Sequence, residues 1–400
     1  MALAEIIENG EKYLMYNYKR LPVSFVSGKG CYLTDTEGNE YLDFLAGVAV
    51  NNIGHCPDAV VEALQLQLSK VMHVSNYFWI DTQVQLAKLL VENSFGDKAF
   101  FCNSGAEANE AAIKLARKHS FKKYGEGKNE IIAMKGSFHG RTLATLAVTD
   151  NKKYQEGYGP IPESFKFVPF NDIDALKAAI TENTCAIMLE PIQGEGGVTP
   201  AELEYLKAVK ELATANDILL IFDEIQCGFA RTGKLFAYEN YGITPDIMSL
   251  AKALGSGFPI GALLTTNDIA ASWQPGDHGT TFGGNSLACA AGVATMTKIV
   301  DEKLWEAAEA AGKYFTEKLQ LFVDKYKWVK QVKGMGLMLG LELEIEGAAI
   351  VEKAFAKKLI INCTAGKVLR FLPPLIVKTK EIDQLMEILG EIFEELDSLR

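Results

Sequence analysis

The sequence predicts an α/β fold: a large domain with a mainly parallel sheet over residues 51–291, and a smaller α+β domain built from residues 1–50 and 292–400. Three observations predict it. From about residue 57 to 291, short apolar runs alternate with helical patterns, as βαβ units do when helices cover both faces of a parallel sheet. After about residue 292 the pattern changes to long helical stretches and an alternating strand. No repeat, low-complexity tract or Pro/Ser-rich linker sets the two ends apart, so they are expected to pack together.

Residues 30–44 read as a hairpin, with apolar strands flanking the turn Asp35-Thr36-Glu37-Gly38-Asn39. An apolar strand at Ala99-Phe100-Phe101 precedes a helix over residues 106–119. Buried strands are expected at residues 131–133, 185–189, 218–222 and 247–251, where shortness and nearby turn residues favour strand over buried helix. A long helix should carry on from residue 292 to about 324, followed by a strand over residues 334–344. The last stretch repeats apolar residues at Ile382, Leu385, Met386, Leu389, Ile392, Phe393 and Leu396. Spacing of three and four is read as a face packed on the core.

Composition narrows the function classes. The 400 residues are 48% hydrophobic and 23% charged, enough for a large core. A net charge of −11 argues against a nucleic-acid partner, because phosphate binding needs a basic face. Seven cysteines are scattered with no close pair, which suggests neither a zinc site nor a redox dithiol, and fits reduced thiols in the cytoplasm. The start carries acids where a signal peptide needs bases, and no apolar run approaches a membrane span of roughly 18 residues.

Four segments carry chemistry. Residues 218–222 run straight into Asp223 and Glu224, at the strand end where parallel sheets bind ligands; a cap or metal-binding acid is the rival reading. Lys252 follows a second such run and precedes the Gly-rich Gly255-Ser256-Gly257. Desolvation there would lower its pKa, the condition for imine chemistry. The 29 residues from Asp223 to Lys252 suit one crossover and return, so both can reach one pocket. Asn103-Ser104-Gly105-Ala106-Glu107 has capping-box spacing and free amides for a phosphate, or is an ordinary cap. Phe138-His139-Gly140-Arg141 offers an aromatic face and a guanidinium; His139 alone reads as structural. Together these supply what pyridoxal 5'-phosphate requires: a phosphate seat, a stacking face, an acid for the ring nitrogen and a lysine for a Schiff base.

At these residues the chain resembles the class III, ornithine-type aminotransferases of pyridoxal-phosphate fold type I. The resemblance runs through "YLDFLAGVAVNNIGH", "FCNSGAEANEAAIKLAR", "GSFHGRTLAT", "EPIQGEGGV", the whole block from Leu219 to Ala262, "GTTFGGNSLACAA" and "VLRFLPPLI". It implies that Gly105 and Ala106 hold the cofactor phosphate, Phe138 stacks on the ring, Asp223 pairs with the ring nitrogen, and Gln226 bonds the phenolic oxygen. Glu224 and Ile225 complete the cofactor set, and Lys252 carries the cofactor. Thr281 is expected to reach the phosphate of a neighbouring subunit, making a homodimer with shared active sites.

The branch resembled most implies that the δ-amino group of N2-acetyl-L-ornithine passes to 2-oxoglutarate by a ping-pong route, as in arginine biosynthesis. Arg141 is then the substrate-carboxylate anchor, with Thr280 close to the acetylornithine. Arg370 is a second cation for glutamate, and Glu195, in a loop made mobile by Gly194, Gly196 and Gly197, pairs with it when acetylornithine is bound. Thr280 replaces the family's usual Ser, Ser286 its usual Pro, and Cys56 a frequent His. The first two touch the substrate loop, so succinyldiaminopimelate, ornithine and 4-aminobutyrate transaminases stay open as alternatives. An aminomutase or a catalytically dead binding protein also stays open, though two arginine anchors suit a dicarboxylic substrate and an intact Lys252 suits catalysis.

Overall fold

Ile131 and Ala133 face one side of the central sheet, Ile132 and Met134 the other, and all four are fully buried. Successive strand residues point to opposite faces, so a strand with no polar alternation is one covered on both sides. The computed structural model, which describes residues 1–399, shows how. On one face Ala111, Ala112, Ile113, Leu115 and Ala116 of helix Gly105–Tyr124 pack on Ile131, Ala133, Ala186, Met188 and Ile221. On the other, Tyr205, Leu206 and Val209 of helix Leu203–Ala215 pack on Ile132, Ile187, Leu220 and Phe222. Each such large side chain contributes about 1.5–3 kcal/mol of burial.

The sheet has seven strands, in the order Lys98–Cys102, Gly261–Thr265, Ile247–Leu250, Leu219–Asp223, Thr184–Leu189, Glu130–Met134 and Phe165–Val168. All run the same way except Gly261–Thr265, which pairs antiparallel with both its neighbours. That reversed strand and Phe165–Val168 were not anticipated. Leu219–Asp223 and Ile247–Leu250 lie side by side, with Asp223 opposite Ser249, so the loops bearing Asp223 and Lys252 leave the same sheet edge.

Elsewhere the elements differ from expectation in three ways. The helix beginning at Gly105 runs to Tyr124, five residues past the expected end. The expected long helix is two, Ser286–Asp301 and Leu304–Lys325, broken where Lys303 takes a left-handed conformation at φ 47°. No Gly or Pro marks that break, so composition could not reveal it. The expected strand over 334–344 is a hairpin, Val329–Met335 with Met338–Leu343, turning at Gly336 with φ 56°. A Cβ on Gly336 would come within 2.5 Å of the Thr232 backbone, which is why the turn needs glycine.

The two ends of the chain meet. Strands Tyr32–Asp35 and Glu40–Asp43 form the expected hairpin, its turn tied by Asp35 Oδ1, which accepts from the Glu37 and Asn39 amides at 2.9 Å each. Strand Leu359–Ile360 joins Glu40–Asp43 in parallel. Helix Thr379–Ser398 buries Ile382, Leu385, Leu389, Ile392 and Phe393, with Phe393 against Phe322 and Trp328. Helix Ser286–Asp301 packs on helices Asp58–Leu68 and Asp81–Glu92. A boundary at 291–292 therefore falls inside a helix, and we propose the break at Lys303 as the division between the two parts. Among the described residues, no helix is long and apolar enough to cross a membrane and no cluster of His, Cys, Asp and Glu is set to hold a metal.

Candidate active site

A cavity of about 400 Å³ opens at the sheet edge where Asp223 and Lys252 emerge. Gly105, Ala106, Phe138, Arg141, Glu195, Asp223, Ile225, Gln226 and Lys252 all line it. The sequence motifs thus converge on one pocket from five separate loops.

At the start of the helix the Ser104 half of the expected capping box forms, while Glu107 reaches one residue further back, to Asn103. Ser104 Oγ accepts from the Glu107 amide at 3.2 Å, and Glu107 Oε2 accepts from the Asn103 amide at 2.6 Å. Both capping bonds use side chains, and the amides at Gly105 and Ala106 border the cavity at the positive end of a 20-residue helix. A Cβ on Gly105 would lie 2.9 Å from Ile225 Cδ1, so only glycine lets the two loops approach this closely.

Asp223 is 4% exposed and held on three sides. Its Oδ2 accepts from Asn109 Nδ2 at 2.8 Å and lies 2.8 Å from His139 Nδ1, and its Oδ1 accepts from the Ile225 amide at 3.0 Å. Burial opposes a charge on His139, but the hydrogen bond and charge of Asp223, with Glu190 behind, hold its pKa above the ordinary value. Burial pushes the Glu190 carboxyl up to about 7. Asn109 and Glu190 escaped the sequence reading. Glu190 carries the same signal as Asp223, an acid directly after the buried strand Thr184–Leu189. His139, read as structural, is in direct contact with Asp223.

Lys252 follows strand Ile247–Leu250 with φ 45°. Burial first, and then the Arg370 guanidinium, hold its ammonium below the ordinary lysine range; Glu195, Asp223 and Glu190 oppose them. A strained backbone on a desolvated lysine is the kind of departure that clusters at reacting sites.

Arg370 is 1% exposed, on strand Val368–Phe371. Its Nη1 reaches Glu195 Oε1 at 2.6 Å, the Gly194 carbonyl at 3.1 Å and Gln226 Oε1 at 3.2 Å, and its Nε donates to Asn362 Oδ1 at 3.1 Å. Against the upward push of burial, this guanidinium holds Glu195 below the usual carboxylate range. The loop around Glu195 is pinned, contrary to the expectation of mobility. Thr364 Oγ1 donates to the Glu195 carbonyl at 2.5 Å, and the Gly194 amide donates to Glu190 at 3.2 Å. Its glycines serve close packing: a Cβ on Gly196 would meet the Gly136 carbonyl at 2.7 Å.

Four expected residues are not in the cavity wall: Arg370, which meets it through Glu195 and Gln226, and Glu224, Thr280 and Thr281. Glu224 turns away from the cavity and accepts from the Ala237 and Tyr238 amides at 2.5 and 2.7 Å; burial pushes its pKa up to about 8. Its side chain is taken up by these two backbone amides, because adjacent residues leaving a strand point opposite ways. Thr280 Oγ1 accepts from Asn103 Nδ2 at 3.0 Å, one residue from the pocket wall. Thr281 is exposed on the same loop.

The family described as Aminotransferase class-III matches residues 13–393. The chain belongs to the class III aminotransferase family. It is 54% identical over 390 residues to the acetylornithine aminotransferase of Methanocaldococcus jannaschii, covering 98% of each chain. Solved class III structures share its fold. An ornithine aminotransferase from Toxoplasma gondii superposes with a TM-score of 0.93 at 33% identity, over 99% of this chain and 95% of that one. That structure is described as revealing partial occupancy of pyridoxal phosphate at its active site. The acetylornithine aminotransferase of Elizabethkingia anophelis gives 0.88 at 33% identity, over 98% and 99%. The class III fold is the type I arrangement expected from the sequence, a mainly parallel sheet in an α/β layer structure.

Proposed function

We propose that this chain transfers the δ-amino group of N2-acetyl-L-ornithine to 2-oxoglutarate, giving N-acetyl-L-glutamate 5-semialdehyde and L-glutamate. Its similarity to acetylornithine aminotransferases supports the reaction. The observation that carries it at the site is the asymmetry of two cations in one cavity region: Arg370 is paired with Glu195, whereas the Arg141 guanidinium makes no ion pair among the described residues. One amine donor has a single distal carboxylate and the other has two, so one anchor must always be open and the other must be maskable.

The cavity fits pyridoxal phosphate: it joins a helix N-terminus, an aromatic face, a buried carboxylate and a desolvated lysine, at a glycine that a Cβ would close. Gly105 and Ala106 would hold its phosphate, Phe138 its ring and Asp223 its nitrogen, with Ile225 and Gln226 completing the wall. Bound there, it supplies an electrophilic carbon that takes the amino group and a ring that accepts the electrons left when a proton departs. Lys252, its ammonium destabilised by burial and Arg370, would take a proton from Cδ of acetylornithine in the first half-reaction and return one to Cα of the forming glutamate in the second, so that the proton lost in one half is regained in the other. Arg141 binds the distal carboxylate of both. Glu195 neutralises Arg370 while acetylornithine reacts and yields it to the α-carboxylate of glutamate; with the backbone pinned, only its side chain swings.

The active unit is a homodimer in this reading. His73 packs against Phe282 at 5.2 Å, Asn76 Nδ2 donates to the Gly283 carbonyl at 3.0 Å, and beside them Tyr77, Trp79 and Phe282 are 92%, 94% and 60% exposed. So much aromatic surface next to Thr281 supports a second copy covering it, with Thr281 reaching the neighbour's phosphate. The scattered free thiols support a cytoplasmic setting. The test is a panel of amine donors with 2-oxoglutarate. The highest kcat/KM should fall to acetylornithine over ornithine, succinyldiaminopimelate and 4-aminobutyrate; a different leader overturns the assignment.

A further inference from the structure

Residues 151–155 belong to none of the motifs above, yet they are fixed against the substrate loop. Asn151 Oδ1 caps the short helix Lys152–Gln155 by accepting from the Tyr154 amide at 3.4 Å. Gln155 Nε2 donates to both the Leu146 and Thr149 carbonyls at 3.1 Å. These bonds set the Tyr154 ring under Arg141, whose guanidinium carbon lies 3.4 Å from the ring centroid. The Phe138 ring stands 5.7 Å from the same carbon. Arg141 is otherwise exposed, and its guanidinium has no hydrogen bond or ion pair among the described residues.

A guanidinium is planar: its π face stacks on rings, and its N–H donors all lie in the plane. Contact at 3.4 Å with Tyr154 uses the face and leaves the donor edge free. An exposed arginine loses rotamer freedom when a ligand fixes it; one already stacked has given up that freedom before the ligand arrives. We propose that Tyr154 is a positioning residue that holds Arg141 by its face and so presents the guanidinium edge to the distal carboxylate of both amine donors. This rests on the reading of Arg141 as that anchor.

Steady-state kinetics of the holoenzyme, varying acetylornithine and 2-oxoglutarate in turn, tests it. Tyr154→Ala should raise both KM values by a similar factor, about tenfold, with kcat within about twofold. Tyr154→Leu, which keeps apolar bulk without a π face, should behave the same way, and Tyr154→Phe should match the parent. In an Arg141→Ala background, Tyr154→Ala should add nothing further. Unchanged KM values in Tyr154→Ala alongside raised ones in Arg141→Ala overturn the positioning role and leave the anchor standing. Unchanged KM values in Arg141→Ala overturn the anchor itself. A further rise in the double variant, or parent-like kinetics in Tyr154→Leu, also overturns stacking as the cause.

Discussion

Glu195 Oε1 lies 2.6 Å from Arg370 Nη1, so the more buried of the two site arginines is already matched by a carboxylate. Removing that carboxylate leaves an uncompensated cation where acetylornithine brings none to replace it. Glu195→Ala should therefore slow the acetylornithine half-reaction on the order of tenfold or more, and spare or speed the glutamate half-reaction. Stopped-flow measurement of each half checks this; equal losses in both remove the switch. Because the folded pKa of Glu195 is depressed, the pair is at full strength above the ordinary glutamate value of about 4.3 and weakens as the pH falls through and below it. Rising pH should not loosen it.

Asp223→Asn should keep the cofactor bound, because the phosphate seat and Phe138 are untouched, yet lose kcat on the order of a hundredfold or more. An amide cannot hold the ring nitrogen protonated, and the site's other hydrogen-bond donors to this position, Asn109 and His139, would lose an anionic partner. Near-normal turnover contradicts the role given to Asp223.

Glu224 follows Asp223 in sequence, but its carboxylate accepts from two backbone amides away from the cavity. Glu224→Gln, whose single amide oxygen keeps an acceptor for only one of the Ala237 and Tyr238 amides, should lose some stability yet bind cofactor and turn over as the parent does. Glu224→Ala strands two buried amides and should cost about 1–3 kcal/mol of stability in denaturant unfolding. A specific loss of cofactor affinity in Glu224→Gln restores it to the binding set.

Mixing Thr281→Val subunits with Lys252→Ala subunits tests the shared site. If Thr281 serves the neighbour, a hybrid contains one site with both Lys252 and an intact phosphate contact, and activity returns. Activity no higher than that of the separate variants places the contact within one subunit.

Much of this was legible because both strand faces are buried: Ile218 to Phe222 shows no polar residue and Ile247 to Leu250 only Ser249, and the acid or lysine after each marks the sheet edge. The same signal at Glu190 was there to read. What stayed hidden depended on chain direction or on distant partners. Gly261–Thr265 looks like any buried strand until its antiparallel pairing is seen. Lys303 breaks a helix without a breaker residue, and the glycines around Glu195 suggest mobility until Thr364, far along the chain, is found on its carbonyl. Glu224 beside Asp223 shared its motif but not its direction, which a strand's alternation decides.

The amino-group chemistry turns on Lys252, the desolvated lysine of the cavity. Borohydride treatment of the yellow holoenzyme followed by peptide mapping tests it most directly. The visible band should bleach and the phosphopyridoxyl group should be found on the peptide bearing Lys252, with Lys252→Ala unlabelled. Labelling of another lysine, with Lys252 unmodified, contradicts it.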